Sequence, residues 1–350
     1  MRCSISAWCT KAARTCRSTA SPRIVGTISA FVPAIRRSRP RRACGWKGWR
    51  RPWTRTNWPR RVTMTAPAAA RNRGAGHGME DLILRTPLVL GAIYLLMVAG
   101  MAVFQRDLMY FPDRGIPSDP ARVGLPEMKP VRLATADGLS LVAWWAPPRS
   151  AADPVVAFFH GNGGSIAGRD LKARPLLDAG FGLLLVEYRG YGPNPGTPSE
   201  EGLYADGRAA LAFLAEAGIP ARRIALYGES LGSGVAVKLA HETRIGAVVL
   251  EAPFTSAVEI GQAAYPFVPV GLMMRDRYES IGRIAEIAAP LLVVHGARDE
   301  VVAVQFGRRL FDAAREPKRY VELPQGGHND LHAHGIGRIT VDYLRATIRD

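Results

Sequence analysis

Cysteine is missing from most of this chain: its four copies, Cys3, Cys9, Cys16 and Cys44, all fall within the first 78 residues. From Met79 to Asp350 that absence excludes disulfides, cysteine-ligated metals, a thiol nucleophile and a lipoprotein cysteine, and it leaves the redox compartment open. Acidic residues are missing in the complementary place. Met1 to Gly78 holds 18 of the 46 Lys and Arg residues and no Asp or Glu, which leaves 28 basic against 30 acidic residues, a net charge of −2, in the remainder. The formal charge of +16 is therefore a property of the N-terminal segment, and nucleic acid is not the expected partner of the body. Five of the seven tryptophans share that segment, where R-R-S-R-P-R-R and W-K-G-W-R-R-P-W show no helical or strand period. Residues 1–78 are expected to be a disordered or spurious extension, with Met79 the initiator. A genuine basic tail for anionic lipid or nucleic acid, and an Arg-rich transit peptide, are the competing readings.

Charge is missing again from Thr86 to Gln105, 20 residues between Arg85 and Arg106. At 1.5 Å per residue they span about 30 Å, the thickness of a bilayer's hydrocarbon core, so one transmembrane anchor over residues 86–105 is expected. A cleaved signal peptide is the rival, although Glu80 and Asp81 precede the apolar run and no convincing small-x-small cleavage site is present. A buried core helix is the third reading. Met79 to Arg85 is nearly charge-balanced, which leaves the side of the membrane open; a genuine basic tail would hold the N-terminus in the cytoplasm. Residues 106–130, with five prolines and the pair Tyr110 and Phe111, read as a linker lying along the domain that follows, 131–350.

That domain alternates strand and helix signals. Val131 to Ala134 and Leu139 to Trp145 flank T-A-D-G, a hairpin signal, and Val155 to Phe159 reads as a buried strand. Further strands are expected at Phe181 to Tyr188, Ile224 to Tyr227, Ala247 to Leu250, Pro290 to Val294 and Arg319 to Leu323. Helices are expected at Ala167 to Ala179, Pro198 to Ala217, after Ser230, at Val302 to Arg315 and at Ile336 to Ile348. T-P-S-E predicts Thr197 as the N-cap of the second, with Pro198 at its first position and Glu200 completing a capping box. A hairpin followed by strand and helix units implies an α/β fold: a mostly parallel central sheet with helices on both faces, antiparallel at its start. Ligands then bind at the carboxyl ends of the strands. Residues 253–287 break the rhythm and read as a small helical cap.

The chemistry centres on I-A-L-Y-G-E-S-L-G-S-G, where a short apolar run meets a sharp turn and a small-residue helix, the pattern of a nucleophile elbow with Ser230 at its tip. Gly228 and Gly232 flank it because side chains there would strike the adjoining strand and helix. A serine hydroxyl needs a base to take its proton, and the base needs a carboxylate to fix its tautomer. His328, in P-Q-G-G-H-N-D, and Asp299, in H-G-A-R-D-E, follow predicted strands on the same sheet edge, in the order Ser, Asp, His. Glu300 is the alternative acid. A negative oxygen forming at the substrate carbonyl needs backbone N–H donors; Asn162, in H-G-N-G-G-S, is the first candidate and Leu231 the second. Ser165, in G-G-S-I-A, imitates a weaker elbow, but five residues separate it from Phe159 at the strand's end. His328, His332 and His334 invite a metal reading, but HExxH is absent, and no metal or cofactor is expected. His160 and His295 are expected to hold strand ends. Tyr191, beside Arg189, is placed at the pocket mouth or in structural pairing. Phe254, Tyr265 and Phe267 in the cap either receive an acyl chain or pack the cap itself.

Six ordered motifs, F-F-H-G-N-G-G, Y-R-G-Y-G, G-E-S-L-G, E-A-P-F-T-S, H-G-A-R-D-E and G-G-H-N-D, together resemble the α/β-hydrolase superfamily. Within it they look like small-cap, N-terminally anchored serine hydrolases, related to the serine aminopeptidase-like and protein depalmitoylase branch. The resemblance spans about Met79 to Asp350 and shows no departure at Ser230, Asp299 or His328. It implies cleavage of an ester or thioester through an acyl-serine intermediate, on a small-molecule or lipid-linked acyl substrate at a membrane. A peptidase with the same machinery and a non-catalytic binding protein on the same scaffold are the alternatives. Oligomeric state is not legible.

Overall fold

The computed structural model describes residues 75–115 and 119–348, and side chains from Ile83 onward with the exception of Leu84. The expectation for the N-terminal extension falls almost wholly outside the described residues. In chain order the elements are α1 (Ala75–Val103), β1 (Phe111–Pro112), β2 (Lys129–Ala134), β3 (Ser140–Ala146), β4 (Val155–Phe159), β5 (Gly163–Gly164) and α2 (Asp170–Asp178). They continue with β6 (Gly182–Val186), α3 (Glu200–Glu216), β7 (Ile224–Glu229), α4 (Leu231–Glu242) and β8 (Ala247–Glu251). Three short helices follow, α5 (Ala257–Ala264), α6 (Val270–Met273) and α7 (Ile281–Ile284), and then β9 (Leu291–Gly296), α8 (Val304–Ala313), β10 (Lys318–Leu323) and α9 (Ile336–Thr347).

Eight strands form one sheet in the order β10-β9-β8-β7-β4-β6-β3-β2, antiparallel only where β3 meets β2 and β6. The central strands are apolar along most of their length because both faces of the sheet are covered, with polar residues only toward their carboxyl ends, at Glu229, Glu251 and His295. In β4, Val155, Ala157 and Phe159 enter one core with Leu226, Leu250 and Val293. Val156 and Phe158 enter the other with Tyr227, Val249 and Leu292. Truncating Phe158 or Phe159, both fully buried, would remove about 3–5 kcal/mol. β7 sits between β4 and β8 at the middle of this stack, so the turn that ends it projects from the most supported part of the molecule.

Three local details differ from the sequence reading. The N-cap of α3 is Ser199, not Thr197: its hydroxyl accepts from Gly202 N, and Glu200 begins the helix. Glu200 makes no capping box because, with Ser199 as N-cap, it stands at the first helical position; its buried carboxylate accepts instead from the Tyr204 hydroxyl and Arg277 N. α1 starts upstream of the expected span and ends at Val103, with Phe104 to Tyr110 turning away from it. Its segment Arg85–Val103 has a mean hydropathy of 2.1 and is, among the described residues, the one helix long and apolar enough to cross a membrane. After that turn, Tyr110, Leu125 and Met128 are buried and β1 pairs with β5, which ties the chain beneath α1 to the loop after β4.

Candidate active site

Ser230 occupies the single residue between β7 and α4 with φ 50° and ψ −116°, a region that an L-residue holds only under constraint. The constraint is visible on both sides. Ser230 N donates to Glu251 O at 2.9 Å and Ser230 O accepts from Ser233 N at 2.8 Å. A Cβ on Gly228 would come within 2.5 Å of Gly232 O, and one on Gly232 would collide with Phe159 O. Both flanking glycines are therefore required by close backbone approach.

The loops after β9 and β10 bring two more groups to this turn. His328 Nε2 lies 3.0 Å from Ser230 Oγ, and its Nδ1 lies 2.7 Å from Asp299 Oδ2. An ionised carboxylate only accepts, so Nδ1 carries the proton and Nε2 is left to accept from the serine hydroxyl. Asp299 Oδ1 takes the N–H groups of Val301 and Val302 at 2.9 and 2.8 Å. Burial pushes the Asp299 carboxyl up, but hydrogen bonds from His295, His328 and the Val302 N–H outweigh it and hold the group well below the usual carboxylate range. Glu300 is exposed, and the ring partner of His328 is Asp299. The loop carrying His328 crosses the end of β9 at Gly296, where an added Cβ would strike Gly326 O and Gly327 O. Arg298 N donates to Gly326 O, and Gly327 N to Asp330 Oδ1.

His295 does more than hold a strand end. Its Nε2 lies 2.8 Å from Val302 O and 3.2 Å from Asp299 Oδ2, so one N–H is shared between the loop backbone and the carboxylate. His160 behaves as expected: its ring nitrogens reach Gly161 O and Glu187 Oε1, while Glu187 Oε2 accepts from Ile166 N. That buried pair fixes the loop containing Asn162. Asn162 itself is clamped through its carbonyl, which accepts from Phe111 N and the Tyr191 hydroxyl, and through its amide, which donates to Met109 O.

Two cavities meet at Ser230. One, of about 250 Å³, is apolar and includes Asn162, Leu231, Phe254 and Tyr265 in its wall. The other, of about 400 Å³, is polar and includes Arg169, Lys172, His328, Asn329 and His332. Beneath the polar one, Glu229 pairs with Arg169 and Lys172, and Glu251 with Lys172 and the Tyr227 hydroxyl. Burial raises the Glu229 carboxyl, but Lys172 and Arg169 together hold it low.

Two of the expected pocket residues stand elsewhere. Tyr191 is fully buried and supports Asn162 from behind, because its hydroxyl can satisfy that carbonyl only from inside the core. Phe267 is 87% exposed at the outer tip of the cap. Arg189 is engaged by Asp137 and Asp206. Ser165 is buried, with its carbonyl held by Arg169, and His334 pairs with Asp330. The sequence reading missed Glu187 and Glu229. A lone carboxylate ending an apolar strand run, as in L-L-L-V-E and I-A-L-Y-G-E, was the available signal.

Residues 154–278 match a family model described as the alpha/beta hydrolase fold. An uncharacterized protein of Mycobacterium tuberculosis is 43% identical over 260 residues, covering 73% of this chain and 92% of that protein. The alpha/beta hydrolase domain-containing protein WAV2 of Arabidopsis thaliana is 31% identical over 271 residues, covering 70% of this chain and 88% of the relative. Among solved structures, an esterase from Pyrococcus furiosus superposes with a TM-score of 0.56 over 69% of this chain and 98% of its own, at 18% identity, a likeness of fold.

Proposed function

Because this chain belongs to the α/β-hydrolase family, we propose that it is a membrane-anchored serine hydrolase that cleaves carboxylic esters or thioesters through an acyl-serine intermediate. The observation that carries the reading is His328 bridging Ser230 and Asp299 at 3.0 and 2.7 Å. Ser230 Oγ attacks the substrate carbonyl while His328 Nε2 takes its proton, and Asp299 stabilises the resulting imidazolium. The carbonyl oxygen becomes negative and is met by the N–H groups of Leu231, at the start of α4, and Asn162. Collapse expels the alcohol or thiol, protonated by His328, and leaves Ser230 acylated. Water, deprotonated by the same imidazole, then attacks the acyl carbon and releases the acid and the free serine.

The backbone at Ser230 supports this assignment, since a strained non-glycine turn is costly and is retained where it aims a side chain. The apolar run in α1 supports the anchor. Hydrolysis of p-nitrophenyl butyrate by the intact chain and by Ser230→Ala tests the proposal. A fall in kcat of about 10⁴ to 10⁶-fold is expected; a variant that retains a tenth of the parent rate would remove Ser230 from the chemistry.

A further inference from the structure

Resting on that reading, we infer that the tip of the cap is a second membrane-inserted element, and that the apolar cavity receives a single acyl chain directly from the lipid phase. The uncharged run that begins in α1 continues two residues past the helix to Gln105, with Arg106 next. In the cap, Ala263 to Met274, A-A-Y-P-F-V-P-V-G-L-M-M, is also uncharged and ends at Arg275. The two ends are tied at one level: Arg275 N donates to Gln105 Oε1 at 2.7 Å, Gln105 Nε2 to Met273 O at 3.3 Å, and the Arg106 guanidinium grips Asp276.

Further up, the Tyr94 hydroxyl donates to Phe267 O at 2.6 Å. Tyr94 lies nine residues before the end of α1 at Val103, a rise of about 14 Å, so the cap tip stands beside the middle of the helical span and not at its foot. A surface at that depth faces hydrocarbon. Phe267 is 87% exposed there, and Leu272, nearer the level of Met273 and Gln105, is 90% exposed, an arrangement unfavourable in water and favourable in lipid. The backbone is suited to the same solvent: Pro266 and Pro269 carry no N–H, and the N–H groups of Val268, Leu272 and Met274 are bonded to carbonyls within the tip. Arg275, next to the Arg106–Asp276 pair, marks the boundary, where its head reaches the phosphate layer.

The apolar cavity joins this level to the nucleophile, because Met101 and Ala102 of α1 and Tyr265 and Val268 of the tip share its wall with Ser230. The polar cavity leaves Ser230 on another side. A lipid-resident acyl ester or thioester therefore binds with its chain toward the bilayer, its carbonyl at Ser230 and its hydrophilic leaving group among Arg169, Lys172 and Asn329.

The test uses the full chain in phosphatidylcholine vesicles containing 4-methylumbelliferyl palmitate, with water-soluble p-nitrophenyl butyrate as the reference ester. At fixed bulk concentration the palmitate rate should follow its mole fraction in the bilayer. The double variant Phe267→Asp/Leu272→Asp should lower the palmitate-to-butyrate ratio of turnover at least ten-fold, and Ala102→Trp, which narrows the cavity, should lower it in the same direction. A rate indifferent to mole fraction, or an unchanged ratio in the double variant, overturns the inference. Fluorophosphonate labelling of Ser230 checks that each variant is folded. If the unsubstituted chain hydrolyses neither ester and takes no label, the hydrolase reading itself is what fails.

Discussion

Replacing Ser230 by glycine and by alanine separates the backbone of the turn from its chemistry. Both substitutions delete the hydroxyl and its contact with His328, so that loss cancels in the comparison. They differ in what they do at φ 50°, ψ −116°. Alanine inherits the strain of a Cβ in that region, on the order of 1–3 kcal/mol, whereas glycine relieves it. Glycine also makes the unfolded chain more flexible, which destabilises the fold by about 0.4–1 kcal/mol. The balance leaves Ser230→Gly more stable than Ser230→Ala by roughly 1 kcal/mol, within a span of about 0–2.5, although both are inactive. In a domain of this size that is about 2–4 °C in Tm per kcal/mol. Thermal or urea unfolding of both variants in the same detergent reads it directly. A glycine variant less stable than the alanine variant by about 0.5–1 kcal/mol, the ordinary difference at an unstrained site, would refute the claim that this turn stores strain.

Asp299→Asn should lower kcat by about 10⁴-fold, because an amide no longer stabilises the His328 imidazolium and admits the wrong tautomer; steady-state hydrolysis of p-nitrophenyl butyrate checks this, and a loss of less than ten-fold would argue against the orienting role. Glu229→Gln should cost about 3–5 kcal/mol at neutral pH by leaving Arg169 and Lys172 underpaired. Glu229 has a folded pKa depressed to about 2, below its unfolded value near 4.5, so the unfolded chain binds more protons in that window. Its stabilisation is present above about pH 4.5 and fades as the pH falls toward about 2. Urea midpoints measured from pH 6 to pH 3 should therefore fall less steeply in Glu229→Gln than in the parent; parallel slopes would show that this carboxylate is not a source of acid lability.

Much of the architecture was legible because local and global signals agree. The central strands are short apolar runs, and Ser230, Asp299 and His328 all follow the carboxyl ends of strands β7, β9 and β10, where a parallel sheet collects them. What could not be read depends on contacts distant in sequence. Tyr191 reads equally as a pocket-mouth or a pairing residue in the sequence; its hydroxyl holds Asn162 O, and nothing in Y-R-G-Y-G says which way that ring turns. His295 lies four residues before Asp299, but its approach to the carboxylate depends on the loop folding back so that Val302 O meets the same N–H. For Phe267 the sequence offers an acyl pocket or cap packing and not an exposed tip, because composition reports apolarity and not depth; its place beside Tyr94 is set by a hydrogen bond spanning 173 residues. The sequence reads residues 86–105 as an anchor, and periodicity offers no hint that Met101 and Ala102 also wall the cavity at Ser230.

The central claim is tested most directly by treating membranes containing the intact protein with a fluorophosphonate probe and mapping the modified peptide. A phosphonylated Ser230, with labelling abolished in Ser230→Ala and strongly slowed in His328→Ala, is the predicted result. Labelling that persists in Ser230→Ala, or that maps to another serine such as Ser165, would contradict it.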